Sequence, residues 1–116
     1  MQLFGIPNCS TVKKSRDWLD AHYISYEFHD LKKQAVNQAL LESWVSQQPW
    51  EKLLNRAGMT WRNASNDEKS AVIDAQSAIV FMLKNPSVIK RPVLVKHDKV
   101  LSLGFSENAY QTLLNA

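Results

Sequence analysis

The first thirty residues change hydrophobic period twice, and that switch limits the fold more than any other feature of the chain. Gln2-Leu3-Phe4-Gly5 reads as a short strand, Ile6-Pro7-Asn8 as a turn, and Cys9-Ser10-Thr11-Val12-Lys13-Lys14 as the opening of a helix. Val12, Ser15, Leu19 and His22 recur on one face of that helix, which the spacing carries to about Ala21. Ser25-Tyr26-Glu27-Phe28-His29-Asp30 then alternates with period two and is rich in aromatics, as a half-buried strand is. Strand, helix and strand in succession form a βαβ unit, and the handedness of such crossovers makes its strands parallel.

The middle of the chain is helical. Leu40, Leu41, Trp44, Val45 and Gln48 mark one amphipathic helix, closed by Pro49. Trp50 to Arg56 predicts a short helix stopped by Gly58 in the C′ role. Ser65 and Glu68 fit a capping box, and Val72, Ala75, Ile79, Met82 and Leu83 carry the helical spacing on to Asn85-Pro86. Trp44, Trp50 and Trp61 lie at helical spacing and are read as core. Sheet returns at the end. Pro92-Val93-Leu94-Val95-Lys96 is a strand, His97-Asp98 a two-residue turn and Lys99-Val100-Leu101-Ser102-Leu103 the antiparallel partner. Ser106 caps a last helix through Tyr110, Leu113 and Leu114. The order is an N-terminal βαβ unit, a helical insertion at about 36–86 and a C-terminal ββα unit. That is an α/β, thioredoxin-like fold, and 116 residues suffice for a single domain over 1–116.

Cys9 is the only cysteine, and a lone cysteine has two readings. It can be a small buried hydrophobe, or a reactive thiol. The strand–Pro-turn–Cys–helix context favours the second. The first turn of a helix has unpaired N–H groups and a partial positive charge, both of which favour a thiolate. Lys13, one turn along, and Lys14 add charge nearby.

Arg56 and Arg91 are the cations expected beside this sulfur, although an arbitrary arginine is more often a solvated surface residue. Arg91 abuts Pro92, which begins the strand expected to face Cys9. Pro92 either starts that strand in trans or follows a cis Arg91–Pro92 bond, which turns the Arg91 backbone toward Cys9 and offers an edge to an extended ligand. A guanidinium here can lower a thiol pKa and grip a carboxylate through paired hydrogen bonds. His22, His29 and His97 have no metal-ligand spacing, so no metal site is expected. The chain has three glycines and lacks both a G-x-S-x-G elbow and a phosphate-binding loop.

Fourteen Lys and Arg against eleven Asp and Glu give +3, a mild bias toward anionic partners without the clustering that nucleic acid requires. One cysteine forms no internal disulfide, and no run of about 18 apolar residues or charged-then-apolar leader is present. A cytoplasmic protein without membrane or nucleic-acid partners is expected.

Four segments carry a resemblance to a known family: Leu3 to Lys14, Leu53-Leu54-Asn55-Arg56, Ile89 to Val95, and Leu103-Gly104-Phe105-Ser106. Together they resemble the arsenate reductase (ArsC) family, and within it the YffB-like branch beside the Spx regulators. The resemblance spans essentially all 116 residues. It implies a thioredoxin-like fold with a helical insertion, a cis proline at Pro92 and a nucleophilic cysteine at Cys9. Two of the arginines around the arsenate reductase cysteine match Arg56 and Arg91; Gly104-Phe105 stands where the third is carried. Loss of that cation argues against efficient arsenate capture. Spx proteins carry Cys-x-x-Cys where this chain has Cys9-Ser10-Thr11-Val12, so an internal dithiol switch is impossible. The resemblance implies a glutathione-dependent monothiol reductase, with Cys9 catalytic and Lys13, Arg56, Arg91 and Pro92 stabilising the thiolate or holding glutathione. Glutathione is then a co-substrate together with thiol or disulfide substrates, and nothing is tightly bound as a cofactor. Two alternatives stand beside it: a Spx-like, transcription-associated module with a protein partner, and a weak arsenate reductase.

Overall fold

The computed structural model describes residues 1–34 and 36–115. The chain is mixed α/β, and its contacts divide it into two compact units: residues 1–34 with 91–116, and residues 35–90.

The first unit holds β1 (Gln2–Gly5), α1 (Ser10–Ala21), β2 (Glu27–Asp30), β3 (Val93–Lys96), β4 (Lys99–Leu103) and the last helix (Glu107–Leu114). Its four-stranded sheet runs β2-β1-β3-β4. β1 pairs β2 in parallel, Gln2 with Glu27 through Gly5 with Asp30, as the βαβ reading requires. β3 lies antiparallel to both β1 and β4. The β3–β4 turn places His97 and Asp98 at φ 49° and 63°, the double left-handed geometry that matches strand twist in a two-residue hairpin.

Leu3, Leu19, Leu94 and Tyr110 are fully buried in one cluster with Trp18. Ser15 is buried with them and satisfied by a 2.6 Å hydrogen bond to the Tyr110 hydroxyl. The inward face of α1 is completed by Trp18, not by His22. The helix ends at Ala21, so His22 falls in the cap, where its ring stacks on Trp18 and its Nδ1 lies 2.8 Å from the Trp18 carbonyl. Gly5 is a close-approach position. A Cβ there would stand 2.7 Å from Cγ2 of Val12, so the missing side chain lets the first turn of α1 settle on the end of β1.

The second unit contains α2 (Gln38–Gln47), α3 (Trp50–Leu53), α4 (Met59–Arg62), α5 (Asn66–Ala71), α6 (Ala75–Lys84) and a 3₁₀ turn (Pro86–Val88); the last helix of the first unit is therefore α7. Two expectations change here. The helix from Trp50 stops at Leu53, because Leu54 bridges Ile89 while Asn55 N–H donates to Val88 and Lys90 N–H to Leu53. Gly58 accordingly caps the start of α4 at φ −80° instead of ending a helix. The helix expected from Ser65 to Asn85 is two helices, broken at Val72–Asp74. The Ser65–Glu68 capping box forms as expected, but the Asp74 carboxylate accepts from the Ser77 N–H and starts a second one. Trp44 is buried, whereas Trp50 and Trp61 are only half-buried. No helix among the described residues is long and apolar enough to cross a membrane.

Candidate functional site

Cys9 is the N-cap of α1, with extended backbone at φ −94° and ψ 126°. The Ile6-Pro7-Asn8 turn delivers it there: Cys9 N–H donates to Ile6 at 3.3 Å, and its carbonyl accepts the first helical bond from Lys13 at 2.9 Å. The thiol is half-buried. Partial burial pushes its pKa up. Against that, the backbone N–H of Val12, then that of Thr11, then the hydrogen bond and charge of the Arg91 guanidinium pull it down, and the net displacement is below the ordinary thiol value. No full cap hydrogen bond is closed by the side chain. The N–H groups nevertheless face the sulfur, and a polarisable thiolate gains from such dipoles beyond ideal cap geometry.

Arg91 comes from the residue before β3, and the Arg91–Pro92 peptide is cis, the sharper of the two sequence readings. Pro92 is buried, and its carbonyl accepts from Gly104 N–H at 2.9 Å. Gly104 sits at φ 78°, a conformation that suits glycine and strains any side chain. Phe105 beside it turns its ring edge onto Tyr110, centroids 4.8 Å apart. Gly104-Phe105 is thus a backbone clasp on Pro92 followed by a packed aromatic.

The remaining predicted residues are placed differently. Lys13 is exposed and its Nζ lies 2.7 Å from the Asp17 carboxylate; it is not among the groups acting on the sulfur. Arg56 belongs to the second unit, exposed, with its guanidinium over the Trp50 ring at 5.2 Å from the centroid. Among the described residues no group of three His, Cys, Asp and Glu is disposed to hold a metal ion. His29 has its Nδ1 2.8 Å from Gln34 Oε1 and its ring stacked on Phe4, and His22 is tied to Trp18. Sequence reasoning missed Gly5 and Gly104 as site-shaping residues. Their signal was scarcity: of three glycines, one precedes the cysteine turn and another follows the last strand. The arrangement places a thiol of lowered pKa beside a half-buried cation.

The model of the ArsC family matches residues 4–113. The solved structure of the YFFB protein is 42% identical and superposes with a TM-score of 0.91 over 97% of each chain. An arsenate reductase (ArsC) related protein from Brucella melitensis is 43% identical, with a TM-score of 0.77, over 99% of this chain and 94% of that one. The global transcriptional regulator Spx of Streptococcus agalactiae is 24% identical over 114 residues, 97% of this chain and 81% of the regulator.

Proposed function

The chain belongs to the ArsC family, and from that premise we propose that it is a thiol-based reductase that uses glutathione to reduce mixed disulfides through Cys9. One observation carries the reading: the only cysteine stands at the start of α1, half-buried, with two backbone N–H groups and Arg91 lowering its pKa. The Cys9 thiolate attacks the glutathione sulfur of a mixed disulfide. The partner thiolate leaves and takes a proton from water, and a Cys9–glutathione disulfide remains. The thiolate of a second glutathione attacks the glutathione sulfur of that adduct, which yields oxidised glutathione and frees Cys9. The resolving thiol is external, so one cysteine suffices.

Arg91 has two tasks, to hold the thiolate and to pair with a glutathione carboxylate. Arg56 is assigned to carboxylate binding by family resemblance alone. Lys13, engaged by Asp17, contributes only to the positive field. A cytoplasmic setting fits this chemistry, because reduced glutathione keeps thiols reduced there.

Incubation with oxidised glutathione tests the reading. One glutathione per chain is expected, on Cys9, removable by reduced glutathione and absent from Cys9→Ser. A chain that forms no adduct overturns it. The likeness to Spx favours a second reading, a protein-docking module in which Cys9 has no chemical task. Such a module needs no depressed thiol pKa, so the pH profile of Cys9 alkylation separates the two. Arsenate is expected neither to drive glutathione oxidation nor to compete for Cys9, given the Gly104 clasp where a third cation would stand.

A further inference from the structure

The Thr11 and Val12 N–H groups that act on the Cys9 sulfur belong to the same helix as Cys9, whereas the Arg91 guanidinium comes from the residue before Pro92 and β3. A guanidinium at the end of a long, rotamer-rich side chain stays on a fixed sulfur only if its own backbone is fixed. The strand pairing does not reach that far. β3 pairs with β1 and with β4 from Val93 onward, opposite Phe4 and Leu103. Pro92 has no N–H, so its backbone hydrogen-bonds only through its carbonyl. Gly104 takes that carbonyl, N–H to oxygen at 2.9 Å, one residue beyond the ladder. Both residues are buried, and Gly104 stands at φ 78°, the left-handed region that a side chain disfavours. The clasp is also referenced to the helix of the sulfur. Phe105 sets its ring edge on Tyr110, whose hydroxyl lies 2.6 Å from that of Ser15 on α1. The path from Cys9 along α1 through Tyr110 to Gly104, Pro92 and Arg91 thus returns to the sulfur.

We infer that Gly104 is a positioning residue for the Cys9 site: its N–H fixes Pro92, and through Pro92 the base of the Arg91 side chain, so that the guanidinium stays on the sulfur. Gly104 is not among the groups acting on the sulfur, so its effect on the thiolate passes through Arg91. The requirement is for a backbone donor in left-handed geometry, which is why a glycine stands there. The inference rests on Cys9 as the reacting thiol and deepens that reading. A cation held in place stabilises the Cys9 thiolate before it attacks, and again when a second glutathione displaces it from the adduct.

The experiment reads the alkylation pKa of Cys9 in the full chain, unaltered and as Gly104→Ala, Arg91→Ala and the double variant. Alanine disfavours φ 78°, so the segment relaxes and turns its N–H away from Pro92. Gly104→Ala is expected to raise the pKa by about half or more of the Arg91→Ala rise, and to add nothing once Arg91 is gone. A merely structural role lowers the denaturation midpoint in both backgrounds and leaves the pKa in place. An unchanged pKa in Gly104→Ala, or an equal rise in both backgrounds, overturns the inference. A second measurement needs no substitution at Gly104. The three glycines, labelled with nitrogen-15, give three amide resonances, with Gly58 of the second unit as the reference. The Gly104 resonance is expected to follow the titration of Cys9 in the unaltered chain and to lose that dependence in Arg91→Ala. A Gly104 resonance that ignores the titration, or follows it equally with and without Arg91, overturns the inference. Failure of an unaltered chain that passes these tests to form any glutathione adduct overturns the reductase reading instead and leaves the clasp standing.

Discussion

At Cys9 the influences on the sulfur are separable by single substitutions. Arg91→Ala removes a hydrogen bond and a charge that favour the thiolate, so the alkylation pKa is expected to rise toward the ordinary thiol value. Lys13→Ala is expected to leave it nearly in place, because that ammonium is engaged by Asp17. A stopped-flow pH profile of iodoacetamide reaction checks both, and an equal upward shift for Lys13→Ala would refute the assignment. The same depressed pKa has a consequence for stability. A thiol whose pKa is lower in the folded chain contributes stability that is fully present above the unfolded thiol's pKa and is lost as pH falls through the folded one. The unaltered protein is therefore expected to gain on Cys9→Ser as pH rises across the thiol range, read as the difference between their denaturation midpoints. Cys9, Arg91 and Pro92 were legible in the sequence because each marks a backbone event: a helix start, a strand start, an X-Pro bond. The direction of Lys13 was not, because a long side chain one turn from the cysteine is equally one turn from Asp17.

At the scale of elements, the contact of Gly5 with Val12 joins β1 to the helix that carries the sulfur. Gly5→Ala brings a Cβ to 2.7 Å from a β-branched side chain held stiffly at χ1 in a helix, so the turn must shift. A loss of about 1–3 kcal/mol is expected from such overpacking. Val12→Ala on the Gly5→Ala background is expected to restore part of it, because the two sites share the clash. Chemical denaturation of the four members of that cycle measures the coupling, and strict additivity would show that the contact is not what limits approach. The strands and α1 were readable because a two-residue and a 3.6-residue period differ over few residues. The helical insertion was harder. Its apolar spacing runs unbroken through Val72 and Ala75, yet the Asp74 carboxylate and Ser77 hydroxyl divide the segment by capping. Leu54 likewise leaves helical geometry for a bridge to Ile89, a partner distant in sequence that local propensity does not reveal.

For the whole molecule, the groups that act on the sulfur, Thr11, Val12 and Arg91, all lie in the first unit. Cys9 and Pro92 belong to that unit too, and Arg56 belongs to the second. Stability is expected to be unevenly spread as well. α4 and α5 are four and six residues long and bury no residue, while Leu3, Val93 and Leu94 are fully buried in paired strands. Short helices without a buried face open locally, and core strands exchange their amides only when the domain unfolds. Hydrogen exchange is therefore expected to be faster in residues 59–71 than at Leu3 and Leu94. The gap should be at least about a thousandfold, corresponding to an opening difference of roughly 4 kcal/mol or more. Equal protection in both segments would contradict that ordering. The two measurements combine into a test of Arg56. In denaturant just strong enough to expose residues 59–71, the Cys9 alkylation profile is expected to keep its depressed pKa, because Thr11, Val12 and Arg91 remain in place. A profile that rises in step with exchange in that segment would instead make the thiolate dependent on the second unit, and Arg56→Ala would then be expected to reproduce the rise by itself.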